Sequence, residues 1–208
     1  MGGVSLASVR CALASKLIFH PVTGRVISNN NVATFIKEVA IEIDDPIDYV
    51  PGDYLQVYVP PIKTNTSDWL IDEEYRSDWE KFGFLGNALD FSSLDESVIR
   101  AYSMASYPAE GKKILFNVRI ATPPKKRVPW GVCSSYLFSL KPGDTVELSG
   151  PFGESHMIDD DRELVFLIGG AGSSFGRAHI MDLFHTQKTK RKVTLWYGAR
   201  SLRENIYE

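Results

Sequence analysis

The alternation of apolar and polar residues along this chain changes character twice. Over residues 33–43 it has period two and places Val39, Ile41 and Ile43 on one face, the pattern of a half-buried strand. Tyr54-Leu55-Gln56-Val57-Tyr58-Val59 repeats it. Asp44-Asp45-Pro46 ends the first run, Pro51-Gly52-Asp53 makes a turn, and Pro60-Pro61 ends the second. A preceding strand over 26–30 is expected to meet the 33–43 strand at an Asn29-Asn30-Asn31 turn, because asparagine tolerates the left-handed backbone of tight hairpins. Residues 62–97 interrupt the alternation. They are acidic and aromatic, with Trp69, Tyr75, Trp79, Phe82, Phe84 and Phe91. They read as a long insertion, partly helical over 72–81, whose aromatics form a local core. Alternation resumes in Val98–Ala105 and Ile114–Ile120, which are expected to pair as a hairpin across Glu110-Gly111. A short helix over 134–139, a turn at 140–144 and a strand over 145–148 lead to Gly150-Pro151-Phe152-Gly153. Together these elements predict a six-stranded antiparallel barrel with one capping helix.

The second change comes at Glu163. Leu164-Val165-Phe166-Leu167-Ile168 is continuously apolar, the signature of a strand buried on both faces. Gly169-Gly170-Ala171-Gly172, a helix over about 174–188 and a strand over 192–198 follow. This is a β-α-β unit that opens a parallel α/β lobe. The predicted division is a leader or linker over 1–24, a barrel over 25–157 with the insertion 62–97 inside it, and a partial nucleotide-binding lobe over 158–208.

Composition narrows the function. The chain has 208 residues, 44% of them apolar and 24% charged, enough for a packed core. Net charge is −3, with no long basic run, which argues against nucleic acid as a partner. Cys11 and Cys133 cannot make a four-cysteine cluster. The four histidines form no metal-binding tract, so no metal site is expected. No apolar run approaches the roughly 20 residues of a membrane span. The first acidic residue is Glu38, and the basic, serine-rich start has a transit-peptide-like composition, for which a linker remnant is the simpler reading. Lys125-Lys126-Arg127 reads as a solvated loop, with adenosine-phosphate or partner docking as the alternative.

Three constellations carry chemistry. In Arg100-Ala101-Tyr102-Ser103 a basic, an aromatic and a hydroxyl side chain share one strand, with Arg100 and Tyr102 on the same side. A guanidinium fork suits a diphosphate and an aromatic ring suits another flat ring. Gly131-Val132-Cys133-Ser134 opens a helix, where backbone N–H groups and the helix dipole favour an anion. Gly169-Gly170-Ala171-Gly172, between a strand and a helix, permits close approach of a pyrophosphate, although Gly176 is one place late for the full dinucleotide fingerprint. Cys133 has no evident activating base and reads as a small buried residue.

A barrel with two phosphate-friendly loops, followed by a nucleotide-type β-α-β unit, resembles the ferredoxin–NADP reductase superfamily. Within it, the chain is similar to the family of F subunits of the bacterial sodium-translocating NADH:quinone reductases. The resembling stretches are 26–38, Tyr75-Arg76-Ser77-Asp78-Trp79-Glu80-Lys81-Phe82, 99–108, 117–124, Ser134-Ser135-Tyr136 and Trp196-Tyr197-Gly198-Ala199-Arg200-Ser201. The resemblance implies FAD as cofactor and NADH as substrate. Arg100 would clamp the FAD pyrophosphate, with Ala101 beside it among the cofactor-binding residues; Tyr102 would stack on the isoalloxazine, and Ser103 would hydrogen-bond near N5, making Tyr102 and Ser103 the catalytic pair. Val118, Arg119, Ile120 and Thr122 would line the ribityl-diphosphate and adenine side. Gly131, Val132, Cys133 and Ser134 would bind the second phosphate flank. Gly170, Ala171 and Gly172 would face the NADH pyrophosphate, with Arg200 near the NADH adenosine.

The resemblance further implies other subunits of a membrane quinone reductase as partners. It implies a place at the cytoplasmic face of the bacterial inner membrane, this chain itself being soluble. The family also carries a membrane helix and a [2Fe–2S] domain that this sequence does not contain, and its nicotinamide lobe continues beyond the point where this sequence ends. Phe175 replaces the proline usual after the glycine loop. The expectation is FAD binding with weak or no NADH turnover. The alternatives are a flavin-binding or partner-docking fragment without catalysis, and another flavin reductase of the superfamily.

Overall fold

The computed structural model describes residues 21–85, 91–123, 128 and 130–207. The rest of the expected leader, Cys11 and the Lys125-Lys126-Arg127 run lie outside the described residues. In chain order the first part comprises β1 (Pro21–Ala33), β2 (Ile36–Ile43) and β3 (Tyr54–Val59). The insertion contributes β4 (Ile62–Asn65), α1 (Glu73–Lys81) and β5 (Phe91–Leu94). Then come β6 (Val98–Ser103), β7 (Lys113–Arg119), α2 (Val132–Ser139) and β8 (Thr145–Phe152). Six of these strands form one sheet in the order β6-β3-β8-β1-β2-β7, with every pairing antiparallel. Its two ends approach where Ala105 N–H donates to the Leu115 carbonyl (2.7 Å) and Leu115 N–H donates to Ser106 Oγ (3.2 Å).

The alternation sets which side chains face inward. Val39, Ile41, Leu55, Val57, Phe116 and Leu148 are all fully buried on the inner face, and each such side chain is worth roughly 1.5–3 kcal/mol. Two expectations of pairing are corrected. β6 pairs with β3 and β7 with β2, so the 98–105 and 114–120 strands are not a hairpin. A short connection at Glu110-Gly111 resembles a hairpin turn in sequence; here it carries the chain between opposite ends of the sheet. The asparagine run is not the turn either. β1 continues through it to Ala33, and Thr34-Phe35 makes the bend, with Ala33 paired to Ile36. Register shifts between Val26 and Ser28 and between Asn31 and Ala33 bend β1. β1 also begins at Pro21, and Pro21–Gly24 pair with β8, so residues 21–24 belong to the sheet and not to a leader.

The asparagines tie elements together. Asn29 Nδ2 donates to the Leu137 and Leu140 carbonyls at the end of α2 (2.8 and 2.7 Å). Asn31 and Asp72 exchange hydrogen bonds, main chain to side chain in each direction. Between them Lys37 is fully buried, its Nζ donating to the carbonyls of Asn29 (2.9 Å) and Leu70. Burial lowers the Lys37 ammonium to about 8, against the opposing pull of Asp72. An unfolded lysine titrates near 10.5. Below pH 8 both states are protonated and the buried charge costs stability in full. Between pH 8 and 10.5 the unfolded chain holds the extra proton, so this contribution rises with pH, by up to about 3 kcal/mol. Subtracting the urea-unfolding profile of Lys37→Met from that of the native chain should reveal this rise; a flat difference would place the charge in a solvated site.

The insertion has more regular structure than expected. β4 and β5 pair as a two-stranded ribbon, and α1 follows Asp72. Its aromatics do not form a separate local core: Trp69 and Trp79 are buried in the barrel's own core and pack with Phe84, Trp130 and Phe138, while Phe82 is exposed.

The second part contains β9 (Leu164–Gly169), α3 (Ser173–Met181), continued by a wider turn at 182–186, and β10 (Val193–Gly198), parallel to β9 in register Val193–Leu164 through Gly198–Gly169. α3 packs closely on β9, and a Cβ at Gly176 would meet Ile168 Cδ1 at 2.6 Å. β9 is not buried on both faces. Phe166 is buried, but Val165 and Leu167 are 56% and 76% exposed, because among the described residues α3 covers one face alone.

Candidate functional site

The register of β6 against β3 sets the site. Tyr102 lies opposite Leu55 and Arg100 opposite Val57, on the face that leads into the core. Ala101 and Ser103 lie on the other face, opposite Gln56 and Tyr54, and both are exposed. Tyr102 is half-buried, its ring 6.1 Å from that of Phe116. Burial pushes its phenol above the ordinary value, Cys133 adds to the rise and Arg100 opposes it. Cys133, buried in the first turn of α2, is also pushed up by burial and pulled back by Arg100. Arg100, Tyr102 and Cys133 therefore lie within electrostatic reach of one another, and burial disfavours the thiolate of Cys133. The Arg100 guanidinium is exposed and gives one hydrogen bond, to the Ile99 carbonyl (2.9 Å).

Gly131 is the N-cap of α2, and no side chain caps the helix. A Cβ there would meet Ala121 Cβ at 2.5 Å, so only glycine lets the loop close on the end of β7. Ser134 Oγ donates to the Gly131 carbonyl (2.8 Å) and accepts from Ala121 N–H (3.1 Å). That hydroxyl holds the loop, leaving the first-turn N–H groups as the donors toward an anion. A guanidinium beside an uncapped helix start fits a diphosphate. The Tyr102 ring, half-exposed on the same face of β6 as Arg100, offers a surface to a flat group.

The remaining predicted residues divide. Val118 and Ile120 have buried side chains in the barrel core, so main-chain atoms are all they could offer a ligand. Arg119 pairs with Glu204, and it lines a cleft of ≈ 330 Å³ together with Thr122 and Arg200. Gly170, Ala171 and Gly172 form a tight turn, with Gly170 at φ +53°. A Cβ on Gly170 would lie 3.9 Å from Arg119 Nη1. The serines after the turn face the barrel: Asn117 Nδ2 donates to Ser173 Oγ and Asn117 N–H donates to Ser174 Oγ, both at 3.3 Å. Phe175 packs edge-on against the buried His179 (4.3 Å). Sequence reasoning missed Glu204 and the exposed ring of Phe82 in the same cleft. Nothing local marks them, since one is a single acid among many and the other resembles its core neighbours.

The glycine turn is held against the barrel by an ion pair. Arg177 of α3 makes a bidentate pair with Glu110 (2.9 Å for each bond) and donates to the Ala105 carbonyl (2.8 Å). Arg177→Met would leave these largely buried acceptors without their donor. About 2–3 kcal/mol of docking should be lost. Hydrogen exchange should then quicken across 164–207 while β2, β3 and β8 keep their protection.

Residues 84–157 match a family model described as an oxidoreductase FAD-binding domain. The chain is 59% identical over 196 residues to the F subunit of the Na(+)-translocating NADH-quinone reductase of Chlamydia trachomatis serovar A, covering 89% of this chain and 46% of that protein. The chain is a homologue of that F subunit. Its counterpart in Shewanella putrefaciens is 49% identical over 185 residues, covering 88% of this chain and 60% of its own length. The chain thus spans about half the length of the F-subunit relatives it matches. Among solved structures, the flavohem-like FAD/NAD binding domain of nitric oxide dioxygenase from Vibrio cholerae superposes with a TM-score of 0.66 at 22% identity, covering 89% of this chain and 65% of that one. Ferredoxin-NADP+ reductase from Plasmodium falciparum gives 0.60 at 16% identity, covering 90% and 62%. These likenesses establish the ferredoxin reductase-like fold that the sequence predicts, an antiparallel barrel followed by α/β elements. Among the described residues no helix is long and apolar enough to cross a membrane.

Proposed function

We propose that this chain is the FAD-holding electron-input module of a sodium-translocating NADH:quinone reductase. The observation that carries the reading is the exposed Arg100 guanidinium on the strand that also bears Tyr102, both within electrostatic reach of Cys133 in the uncapped first turn of α2. Arg100 and the first-turn N–H groups would neutralise the FAD pyrophosphate. Tyr102 would orient the isoalloxazine by stacking, and the Ser103 hydroxyl would hold a hydrogen bond near N5. The glycine turn at 170–172 and Arg200 would receive NADH. When bound, FAD takes up a hydride's two electrons and gives them up singly. A [2Fe–2S] centre outside this chain would be the one-electron acceptor, and the module would work with the other subunits of a complex at the cytoplasmic face of a bacterial inner membrane.

An anaerobic absorbance titration tests this. The purified chain, supplied with FAD, should show a protein-bound flavin spectrum. Bleaching on addition of NADH would mean that the lobe formed by β9, α3 and β10 also delivers hydride; persistence of the band would confine this chain's part to holding the flavin. No bound flavin at all would overturn the assignment of Arg100, Tyr102 and Ser103.

A further inference from the structure

We propose that the insertion aims the start of α2 at a diphosphate, with Trp130, the residue before the Gly131 N-cap, as the positioning residue through which its aromatic rings act. The proposal rests on the reading of that helix start as the place of the FAD pyrophosphate. It gives the insertion a part in flavin affinity that core packing alone does not require.

α2 has no means of orienting itself. Val132-Cys133-Ser134-Ser135-Tyr136-Leu137-Phe138-Ser139 carries no charged side chain, and no side chain caps its start. No ion pair can therefore set its axis, and packing must. The Ser135 N–H donates to the Gly131 carbonyl (2.9 Å) and closes the first turn. The N–H groups of Val132, Cys133 and Ser134 are then left without a partner inside the helix. They hold an anion well only when they converge on it, so a small tilt of the helix weakens the hold.

The insertion grips α2 at both ends. At the start, Trp130 is buried among rings of the insertion. Trp79 lies nearly parallel to it (8°, centroids 6.3 Å), and Trp69 and Phe84 meet it edge-on at 5.6 and 4.9 Å, all favourable ring geometries. Trp79 and Trp69 are themselves pinned, one Nε1 donating to the Thr34 carbonyl (2.6 Å) and the other to Thr64 Oγ1 (3.1 Å). At the far end, Phe138 packs on Trp69 and Trp79 at 5.5 and 6.0 Å. There the buried Lys37 joins the Leu70 carbonyl of the insertion to that of Asn29, whose Nδ2 donates to the Leu137 and Leu140 carbonyls. Hydrogen bonds of Gly131 and Ser134 to Ala121 fix where the helix begins. The rings fix which way it points, and they reach the first-turn donors through Trp130, one peptide bond before Gly131.

The test compares FAD with riboflavin, which has the ring and no phosphate, by fluorescence quenching on the full chain. Phe84→Leu removes one ring of the clamp at a half-buried position, so it should fold even if Trp130→Leu does not. FAD should bind about fivefold weaker in Phe84→Leu and about tenfold weaker in Trp130→Leu, the scale of a helix end's hold on an anion, with riboflavin binding unchanged. Ile41→Val trims the same core from β2 and should leave both flavins unchanged, whereas a purely structural role for the rings would make the three variants behave alike. Hydrogen exchange at the Ser135 amide should quicken in Phe84→Leu and Trp130→Leu and not in Ile41→Val. Equal losses for FAD and riboflavin, or no loss for either, while Arg100→Ala still weakens FAD alone, would overturn this proposal and leave the flavin assignment standing. If the native chain binds no FAD, the flavin assignment falls and exchange decides the rest. Quickened exchange at Ser135 would then support the insertion's hold on α2, and unchanged exchange would overturn it.

Discussion

Replacing Trp79 by alanine is expected to cost about 4 kcal/mol of stability, within the range for deleting a fully buried tryptophan. Trp79 sits on α1, in the insertion, yet no part of it is exposed. Its ring touches those of Phe35, Trp69, Phe84, Trp130 and Phe138, which come from the β1–β2 turn, the insertion, the loop before α2 and α2 itself. Its Nε1 donates to the Thr34 carbonyl (2.6 Å) at that turn. The insertion is therefore part of the barrel's core and not an appendage to it. Trp79→Phe would keep most ring contacts and strand the Thr34 carbonyl, costing about 1–3 kcal/mol. Urea unfolding with unchanged m-values would report both. A loss below about 1 kcal/mol for Trp79→Ala, far under the range for a buried aromatic, would mean that the insertion folds separately from the sheet.

The strands are legible in the sequence because alternation is a local property. Val39-Ile41-Ile43 and Leu55-Val57-Val59 fall every second residue, and all of them are buried. Partners are less legible. β6 and β7 are adjacent in sequence and look like a hairpin, but pairing depends on which apolar faces close the barrel, and that closure joins β6 to β3 and β7 to β2. Asn29 and Asn31 have the right chemistry for a turn, but a buried asparagine can also cap a distant helix or hold an aspartate. Those long-range bonds decided their use.

The site divides in the same way. Arg100, Tyr102 and Ser103 stand out because three kinds of chemistry share one strand, whereas the electrostatic coupling of Cys133 to Arg100 and Tyr102 depends on where the fold places α2. The cleft lined by Phe82, Arg200 and Glu204 has no such local mark. It draws on the β1–β2 turn, the insertion, the end of β7 and the segment after β10, segments separated by up to most of the chain.

Arg100→Ala is expected to weaken FAD binding about 100-fold, the loss of a charged fork from a pyrophosphate. The side chain is exposed and spends a single hydrogen bond on its own strand, so stability should change by less than about 0.5 kcal/mol. Separating affinity from stability in this way makes the result specific to the ligand. Arg100→Lys keeps the charge and loses the planar fork, and should fall between the two, about tenfold weaker than the native chain. Riboflavin supplies the internal control. It has the ring but no phosphate, so its weaker binding should be indifferent to Arg100 and sensitive to Tyr102→Leu, which removes the stacking surface. Fluorescence quenching of each flavin across the three variants measures all of this in one series. Equal losses for FAD and riboflavin in Arg100→Ala would show that the guanidinium shapes the ring site and does not hold the phosphates.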